Sequence, residues 1–282
     1  MIERVNTEPR LVLLCGLPAS GKTALVMQMV LDALRLTGSL RACVCNVEMS
    51  PRVLLDRQLA RLSGVDVTSI RYRRLGSQQV SRIHQALPLL EQVAERLCFV
   101  KGPYDLSAVA AAADEFRADL LVLDYIQRIA PPGDSGDKRG SVNQTMSYLR
   151  QFAEAGAAVV AVAAVGRTKD SRGRSSYDGE GLNLASFRES SELEFGADDA
   201  FVLVPDANSV DQVVLRHLKA RHTEARDLAL RFDRAHQSFT VPVSSTGTTP
   251  NRRLSDSLAA MWERAPTAPM DRDDGEEEGG NA

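Results

Sequence analysis

Apolar residues occur in short uninterrupted runs along much of the chain, and these runs predict strands. Several contain Val, Leu and Ala without polar alternation, which is typical of strands buried on both faces of a parallel sheet. The predicted strands are Arg10–Cys15, Arg41–Val47, Arg96–Lys101, Leu120–Asp124, Ala158–Ala164, Ala200–Val204, Gln212–Leu218 and Leu228–Phe232.

Segments with helical spacing of apolar residues separate the early strands. The predicted helices are Thr23–Leu36, a helix opened by Ser50-Pro51 that runs to Leu62, Ser77–Glu95, Leu106–Phe116 and Ser141–Ala155. Alternation of strand and helix over residues 10–165 predicts an α/β domain with a mainly parallel sheet flanked by helices. After residue 198 strands follow one another through short turns, which predicts an antiparallel C-terminal extension at the sheet edge.

The pattern is lost after residue 242, where the chain becomes rich in Ser, Thr and Pro and then acidic. We therefore expect one domain over residues 1–242 and a mostly disordered tail over residues 243–282, with one helix at Arg253–Glu263.

Composition is that of an ordinary globular protein, with 44% hydrophobic and 25% charged residues in 282. The net charge of −3 comes from an acidic C-terminal stretch on a nearly neutral body, so any site for a polyanion must be local. The longest uncharged apolar run, Ala155–Gly166, is too short to cross a bilayer, and no secretion leader opens the chain. We expect a cytoplasmic protein without a membrane partner.

The segment that follows the first predicted strand fits the pattern G-x-x-x-x-G-K-[ST]. Glycines at both ends allow backbone N–H groups to wrap around phosphates at a helix N-terminus. Lys22 would reach the β- and γ-phosphates, and the Thr23 hydroxyl would ligate Mg²⁺. The predicted nucleotide-binding residues are Gly16, Pro18, Ala19, Ser20, Gly21, Lys22 and Thr23.

Two carboxylates are candidates for the chemistry beside this P-loop. Asp124 ends an apolar strand, as in the Walker B pattern, and is expected to hold the metal ion, through water. Glu48 follows another strand and could activate the attacking water. From the residues alone, a capping or salt-bridging role for Glu48 is equally good.

Two segments, residues 131–140 and 167–181, have the composition of loops. The second is basic and glycine-spaced, so it could follow a phosphate backbone, although composition alone slightly favours a solvated surface loop. Its basic residues are Arg167, Lys169, Arg172 and Arg174, and the first loop carries Lys138 and Arg139.

Several motifs occur in a fixed order along the chain: the P-loop, Glu48-Met49-Ser50, Leu123–Gln127, Ser186–Ser190 and Lys219-Ala220-Arg221. Together they resemble the C-terminal ATPase domain of DnaB-like replicative helicases, within the RecA-like group. The resemblance covers roughly residues 10–242 and implies a RecA-like P-loop core that uses ATP and Mg²⁺.

The resemblance also implies roles for individual residues. Glu48 would be the catalytic base, and Lys219 and Arg221 would reach the nucleotide of the neighbouring subunit in a homo-oligomeric ring, a hexamer. Arg188 and Glu189 would belong to the region of conformational coupling and subunit contact. The two loops would face a central channel and touch single-stranded DNA.

Two departures from the family pattern are visible. Ala164 stands where the family carries a sensor glutamine, and the P-loop begins at Gly16, which leaves no room for the family's N-terminal collar domain. A separate protein would supply the collar function, or the protein has another task. The leading hypothesis is a single-stranded-DNA-translocating helicase of DNA replication. The alternatives are an ATP-dependent regulator or remodeller of a protein partner and, least favoured, a nucleotide-binding scaffold without turnover.

Overall fold

A computed structural model describes residues 10–132, 138–164, 168–169, 175–176, 196–206, 209–222 and 224–242. The predicted helix Arg253–Glu263 and the acidic tail lie outside these residues, as does most of the basic loop 167–181.

Strands and helices alternate through the first half of the chain. The strands are β1 (Leu11–Gly16), β2 (Ala42–Asn46), β3 (Leu97–Phe99), β4 (Leu120–Asp124), β5 (Ala158–Ala164), β6 (Thr168–Lys169), β7 (Ser175–Ser176), β8 (Asp199–Pro205), β9 (Gln212–Ala220), β10 (Leu228–Asp233) and β11 (Ser238–Thr240). The helices are α1 (Lys22–Leu36), α2 (Pro51–Ser63), α3 (Val67–Arg71), α4 (Ser77–Ala94), α5 (Leu106–Phe116) and α6 (Lys138–Glu154), with a 3₁₀ turn at Ile126–Arg128.

Nine of these strands form one sheet in the order β11-β10-β9-β8-β1-β5-β4-β2-β3. The strands from β8 to β3 in this order are parallel, whereas β9, β10 and β11 are antiparallel to their neighbours. The carboxyl ends of β1, β2, β4 and β5 therefore lie at one edge of the sheet, where open α/β sheets bind their ligands.

Both faces of the central strands are covered, which explains why their sequences are apolar without alternation. Leu13 of β1 packs in a core cluster with residues of α5 and α6. The next residue, Leu14, packs in a second cluster with residues of α1 and α2.

The predicted fold class is confirmed, with differences in detail. The antiparallel extension begins at β9, because β8 is itself parallel to β1. The loop predicted at 131–140 is shorter, since α6 begins at Lys138, and sequence reasoning missed α3 and β11. Within the described part of the chain, no helix combines the length and apolarity needed to cross a membrane.

Candidate active site

A cavity of about 490 Å³ opens at the carboxyl edge of the sheet. The P-loop forms one wall, and the segments that follow β2 and β4 form another. Among the predicted site residues, the cavity is lined by Pro18, Ala19, Gly21, Lys22, Thr23, Glu48 and Asp124. The fold thus brings both candidate carboxylates to the P-loop.

The two glycines of the motif are required by close contacts. A Cβ atom on Gly16 would lie 2.8 Å from the main-chain oxygen of Leu203. One on Gly21, whose φ is 97°, would lie 2.8 Å from ring atoms of both Phe232 and Phe239. A side chain at either position would push the loop away from its neighbours, so the cradle depends on glycine there.

Ser20 and Lys22 of the P-loop differ in the hydrogen bonds that their polar atoms make. The Ser20 hydroxyl is buried and finds no hydrogen-bond partner among the described residues. Lys22 Nζ donates to the carbonyl oxygens of Gly16 and Leu17, both at 2.9 Å. Burial lowers the pKa of Lys22, while Asp124 acts in the opposite direction. The ammonium is therefore held inside the loop, less exposed than a simple surface ligand would be.

Thr23 and Asp124, the predicted metal-binding pair, are in direct contact. Thr23 Oγ1 donates to Asp124 Oδ2 at 2.6 Å. Asp124 is only 5% exposed, and burial raises the pKa of its carboxyl, whereas the hydrogen bond from Thr23 lowers it. A hydroxyl beside a carboxylate is a donor set that suits a hard divalent cation such as Mg²⁺.

Asn46, which sequence reasoning missed, connects Asp124 to the segment that contains Glu48. It is 6% exposed, and its Nδ2 donates to Asp124 Oδ2 at 2.8 Å. Its Oδ1 accepts from the backbone N–H groups of Glu48 at 3.0 Å and Met49 at 2.7 Å. The only signal in the sequence was a polar residue at the end of an apolar strand.

Glu48 is exposed to the cavity. Its carboxylate makes no hydrogen bond or ion pair with the residues that the structure describes. The cap residue of α2 is Ser50. The capping and salt-bridging interpretations of Glu48 therefore have no support in the described contacts, and the carboxylate is available to a ligand.

Further cavity residues come from elements that carry no recognisable motif. Arg57 lies on α2 and lines the cavity. Burial and the positive charge of Arg71 lower the pKa of the Arg57 guanidinium. Phe232, Arg234 and Gln237 come from β10 and the turn before β11. Arg234 Nη1 donates to the carbonyl of Ala19 at 3.1 Å, which ties this hairpin to the P-loop.

The sensor position, Ala164, lines the cavity at the end of β5. Gln127 contacts its main chain twice: Nε2 donates to the Ala164 oxygen at 3.0 Å, and Oε1 accepts from the Ala164 N–H at 3.3 Å. The amide side chain of Gln127 therefore lies beside the sensor position. It comes from the segment after β4 and binds the backbone of β5.

Lys219 and Arg221 lie away from this cavity. The Arg221 N–H donates to the main-chain oxygen of Asp198, and the Asp198 N–H donates to Leu11, the first residue of β1. Gly16, where the P-loop begins, lies five residues further along β1, or roughly 17 Å at about 3.3 Å per residue. Lys219 lies in β9, which runs to Ala220, two residues beyond the end of the predicted strand Gln212–Leu218.

The predicted DNA-contacting residues are described only in part. Lys138 and Arg139 begin α6, and Lys169 pairs with Ser175 in the short β6–β7 ladder; their side chains are not described. The remaining predicted DNA-contacting residues, Arg167, Arg172 and Arg174, lie outside the described ranges. So do Arg188 and Glu189, which were predicted for conformational coupling and subunit contact. Their roles stay predictions.

Comparison with known sequences identifies a matching family model and several relatives. The family model described as "DnaB-like helicase C terminal domain" matches residues 6–241. The replicative DNA helicase DnaB of Treponema pallidum (strain Nichols) is 27% identical over 238 residues, which cover 81% of this chain and 51% of that protein. A probable plasmid replicative DNA helicase of Chlamydia trachomatis is 23% identical over 228 residues, which cover 79% of this chain and 48% of that protein. The chain spans about half the length of these curated relatives.

Solved structures with the same fold include an ATPase domain, with a TM-score of 0.74 and 17% identity over 84% of this chain and 86% of that one. A DnaB-like replicative helicase, studied with its primase interactions, has a TM-score of 0.72 and 17% identity over 82% of this chain and 57% of that one. The predicted resemblance and the RecA-like fold are confirmed.

Proposed function

This chain belongs to the DnaB-like helicase C-terminal domain family, and from that membership we propose that it is the ATP-hydrolysing motor of a replicative DNA helicase. In this proposal residues 1–242 form the motor domain, and residues 243–282 form an appended tail. The motor works as a homo-oligomeric ring, a hexamer, that moves along single-stranded DNA. The names of the relatives support a helicase over the regulator and scaffold alternatives.

One observation carries the proposal of ATP hydrolysis: a continuous set of hydrogen bonds joins the P-loop to the Glu48 segment. Thr23 Oγ1 and Asn46 Nδ2 both donate to Asp124 Oδ2, and Asn46 Oδ1 accepts from the Glu48 N–H. The groups expected to bind the metal ion and to activate water are thus held in one rigid unit.

The cavity fits ATP with Mg²⁺. Its volume of about 490 Å³ lies in the range of small-ligand sites. The buried Ser20 hydroxyl has an unused hydrogen bond, and Lys22 needs only to exchange two carbonyl partners for phosphate oxygens. Thr23 and Asp124 would hold Mg²⁺, which neutralises charge on the phosphates when it is bound.

Glu48 serves as the general base in this proposal. Its carboxylate faces the cavity and can orient a water molecule for attack and accept the proton that this water loses. The two backbone hydrogen bonds to Asn46 fix the main chain from which the carboxylate projects. Restricting that main chain is what a base needs if it is to meet the water at a constant position.

Arg221 and Lys219 act on a neighbouring subunit in the proposed ring. Arg221 lies at the amino end of β1, and the P-loop lies at its carboxyl end, so neither side chain serves its own nucleotide. A head-to-tail interface joins two different surfaces of identical subunits and closes into a ring when the rotation permits. Such an interface would bring the Arg221 end of one subunit to the P-loop of the next.

The predicted DNA contacts complete the proposal. Arg167, Lys169, Arg172, Arg174, Lys138 and Arg139 would line the channel and neutralise phosphates of single-stranded DNA.

The decisive experiment measures ATPase rate with and without single-stranded DNA, together with displacement of a labelled strand from a forked duplex. We expect hydrolysis that DNA stimulates and displacement that requires ATP. The control is Lys22→Ala, which removes the phosphate-binding ammonium and should abolish both activities. Stimulated hydrolysis without strand displacement would contradict the helicase assignment and leave the ATPase intact.

Action across subunits has its own test. Arg221→Ala and Glu48→Gln are each expected to be nearly inactive, but a mixture of the two should regain part of the activity. At some interfaces of a mixed ring the intact Arg221 of one subunit meets the intact Glu48 of the next. No recovery, with subunit exchange demonstrated by fluorescence energy transfer, would exclude a role of Arg221 in trans.

A further inference from the structure

A buried carboxylate, Asp198, holds the Arg221 guanidinium at the end of β1 that lies farthest from the P-loop. Asp198 Oδ1 accepts from Arg221 Nη1 at 2.8 Å and from Arg150 Nη1 at 2.6 Å. Its other oxygen, Oδ2, accepts from the Leu11 N–H at 2.9 Å. No motif pointed to Asp198, and neither its carboxylate nor Arg150 contributes to the cavity described above.

Main-chain hydrogen bonds fasten the same residues. The Asp198 N–H donates to the Leu11 oxygen at 2.8 Å, and the Arg221 N–H donates to the Asp198 oxygen at 2.9 Å. Arg221 is therefore attached to Asp198 through both its backbone and its side chain, and Asp198 is in turn attached to the first residue of the strand that ends in the P-loop. This attachment fixes the direction in which the arginine leaves the sheet.

The contacts of Asp198 allow Arg221 to leave the carboxylate at low cost. The Asp198 side chain is 3% exposed, whereas that of Arg221 is 39% exposed. Removing the only cation that pairs with a buried carboxylate strongly destabilises the folded protein. Arg150 and the Leu11 N–H would stay on Asp198 if the Arg221 guanidinium turned toward a phosphate, so the carboxylate would keep its compensation.

Asp198 is ionised under ordinary conditions. Burial alone would raise the pKa of this carboxyl, but the hydrogen bonds from Arg150 and the Leu11 N–H, and the charges of both arginines, bring it below its usual value. A permanently charged acceptor suits the task of holding a guanidinium, since charge-assisted hydrogen bonds are stronger and more directional than neutral ones.

We propose that Asp198 is a positioning residue for Arg221, which it holds at the surface of the subunit until the guanidinium turns from the carboxylate toward the nucleotide of the neighbouring subunit. The inference rests on the proposed function, in which Arg221 acts across the subunit interface. It adds that this action requires a carboxylate within the subunit that donates the arginine.

The test is Asp198→Asn in the full chain. Asparagine can still accept from the Leu11 N–H through its oxygen, but its NH₂ group cannot accept from a guanidinium. We expect kcat for ATP hydrolysis to fall roughly 10- to 100-fold, because misplacing a reacting group by about 1 Å can cost on the order of 10²-fold. KM for ATP should be unchanged, since Asp198 lies at the far end of β1 from its own P-loop.

The neighbouring residue provides a matched control. Asp199, the first residue of β8, is also a buried carboxylate, but it pairs with His217 at 3.1 Å and Arg10 at 3.6 Å. Asp199→Asn should leave kcat unchanged even if it lowers thermal stability. Equal losses of kcat in both variants would show that any damage at the start of β8 slows the enzyme, and the positioning role would be wrong.

A double-mutant cycle separates positioning from a structural role. If Asp198 acts through Arg221, Asp198→Asn should cause no further loss of kcat in an Arg221→Ala background. Additive losses of kcat in the double variant would overturn the inference. A rise in kcat of Asp198→Asn alone would also overturn it, because Asp198 would then restrain the arginine. Asp198→Glu, which retains the charge but shifts it by one methylene, should give an intermediate kcat and serves if the asparagine variant does not fold.

Failure of the proposed function would look different. Full turnover by Arg221→Ala would remove the trans role of Arg221 and this inference with it. Loss of turnover in Arg221→Ala, together with full turnover in Asp198→Asn, would overturn the positioning role alone.

Discussion

The replacement Asn46→Ala tests whether the hydrogen bonds around Asp124 hold the site together. It removes one bond to a carboxylate and two bonds from backbone N–H groups. A hydrogen bond to a charged group contributes about 1.5–3 kcal/mol and a neutral one about 0.5–1.5 kcal/mol. Because Glu48 is exposed, water can replace part of what its N–H loses. We expect the free energy of unfolding to fall by about 2–4 kcal/mol, somewhat less than the sum of the separate bonds.

The same replacement should slow hydrolysis. Without Asn46, the backbone of Glu48 and Met49 loses its two hydrogen bonds to β2. Asp124 loses one of its two described side-chain donors and keeps the Thr23 hydroxyl. We expect kcat to fall roughly 10- to 100-fold, since placement of the base and of the metal-binding carboxylate would both be loosened. ATP affinity should change less, because the P-loop is untouched.

The assay combines urea unfolding, followed by circular dichroism, with steady-state ATPase kinetics. Gln58→Ala is the matched control: Gln58 is a buried polar residue of α2 whose Oε1 accepts from Arg61 Nε outside the cavity. It should lose stability but keep kcat. If Asn46→Ala keeps wild-type kcat at a temperature where it is fully folded, Asn46 does not organise the site, and the argument from these hydrogen bonds is wrong.

Three further predictions follow from the site. Glu48→Gln should bind ATP normally and lose turnover by roughly 10²- to 10⁴-fold, as measured by nucleotide titration and single-turnover kinetics; unchanged turnover would exclude Glu48 as the base. Burial raises the pKa of the Asp124 carboxyl above its unfolded value of about 3.9. The free energy of unfolding that this group adds is therefore present at pH below the unfolded pKa and is lost as pH rises through the folded pKa. Asp124→Asn should therefore melt at a higher temperature than the wild type at neutral pH, with a smaller difference in acid, while it loses Mg²⁺-dependent hydrolysis; a lower melting temperature at neutral pH would contradict the sign. Serine at all four basic positions of the second loop should weaken single-strand binding and reduce its salt dependence, by about 0.7 in slope for each phosphate that the loop no longer neutralises; a wild-type slope would place the loop outside the channel. These positions are Arg167, Lys169, Arg172 and Arg174.

The sequence by itself determined the features that depend on neighbouring residues. The P-loop could be predicted because its glycines, Lys22 and Thr23 lie within one strand–turn–helix unit. Within such a unit the spacing of residues along the chain already fixes their arrangement in space. The fold class could be predicted because strands covered on both faces must be continuously apolar. Asp124 could be predicted because a carboxylate after such a strand reaches the edge at which parallel strands end.

Tertiary structure decided the contacts between residues that lie far apart in the chain. Asn46 meets Asp124 across 78 positions because β2 and β4 are adjacent in register, which no local pattern encodes. Gln28 and Phe239, 211 positions apart, bind each other and so hold the β10–β11 hairpin over the P-loop. Asp198 and Arg221 became partners because β8 lies between β1 and β9. A local sequence pattern indicates the chemistry available to each residue. The order of strands in the sheet decides which distant residues lie close enough for that residue to contact.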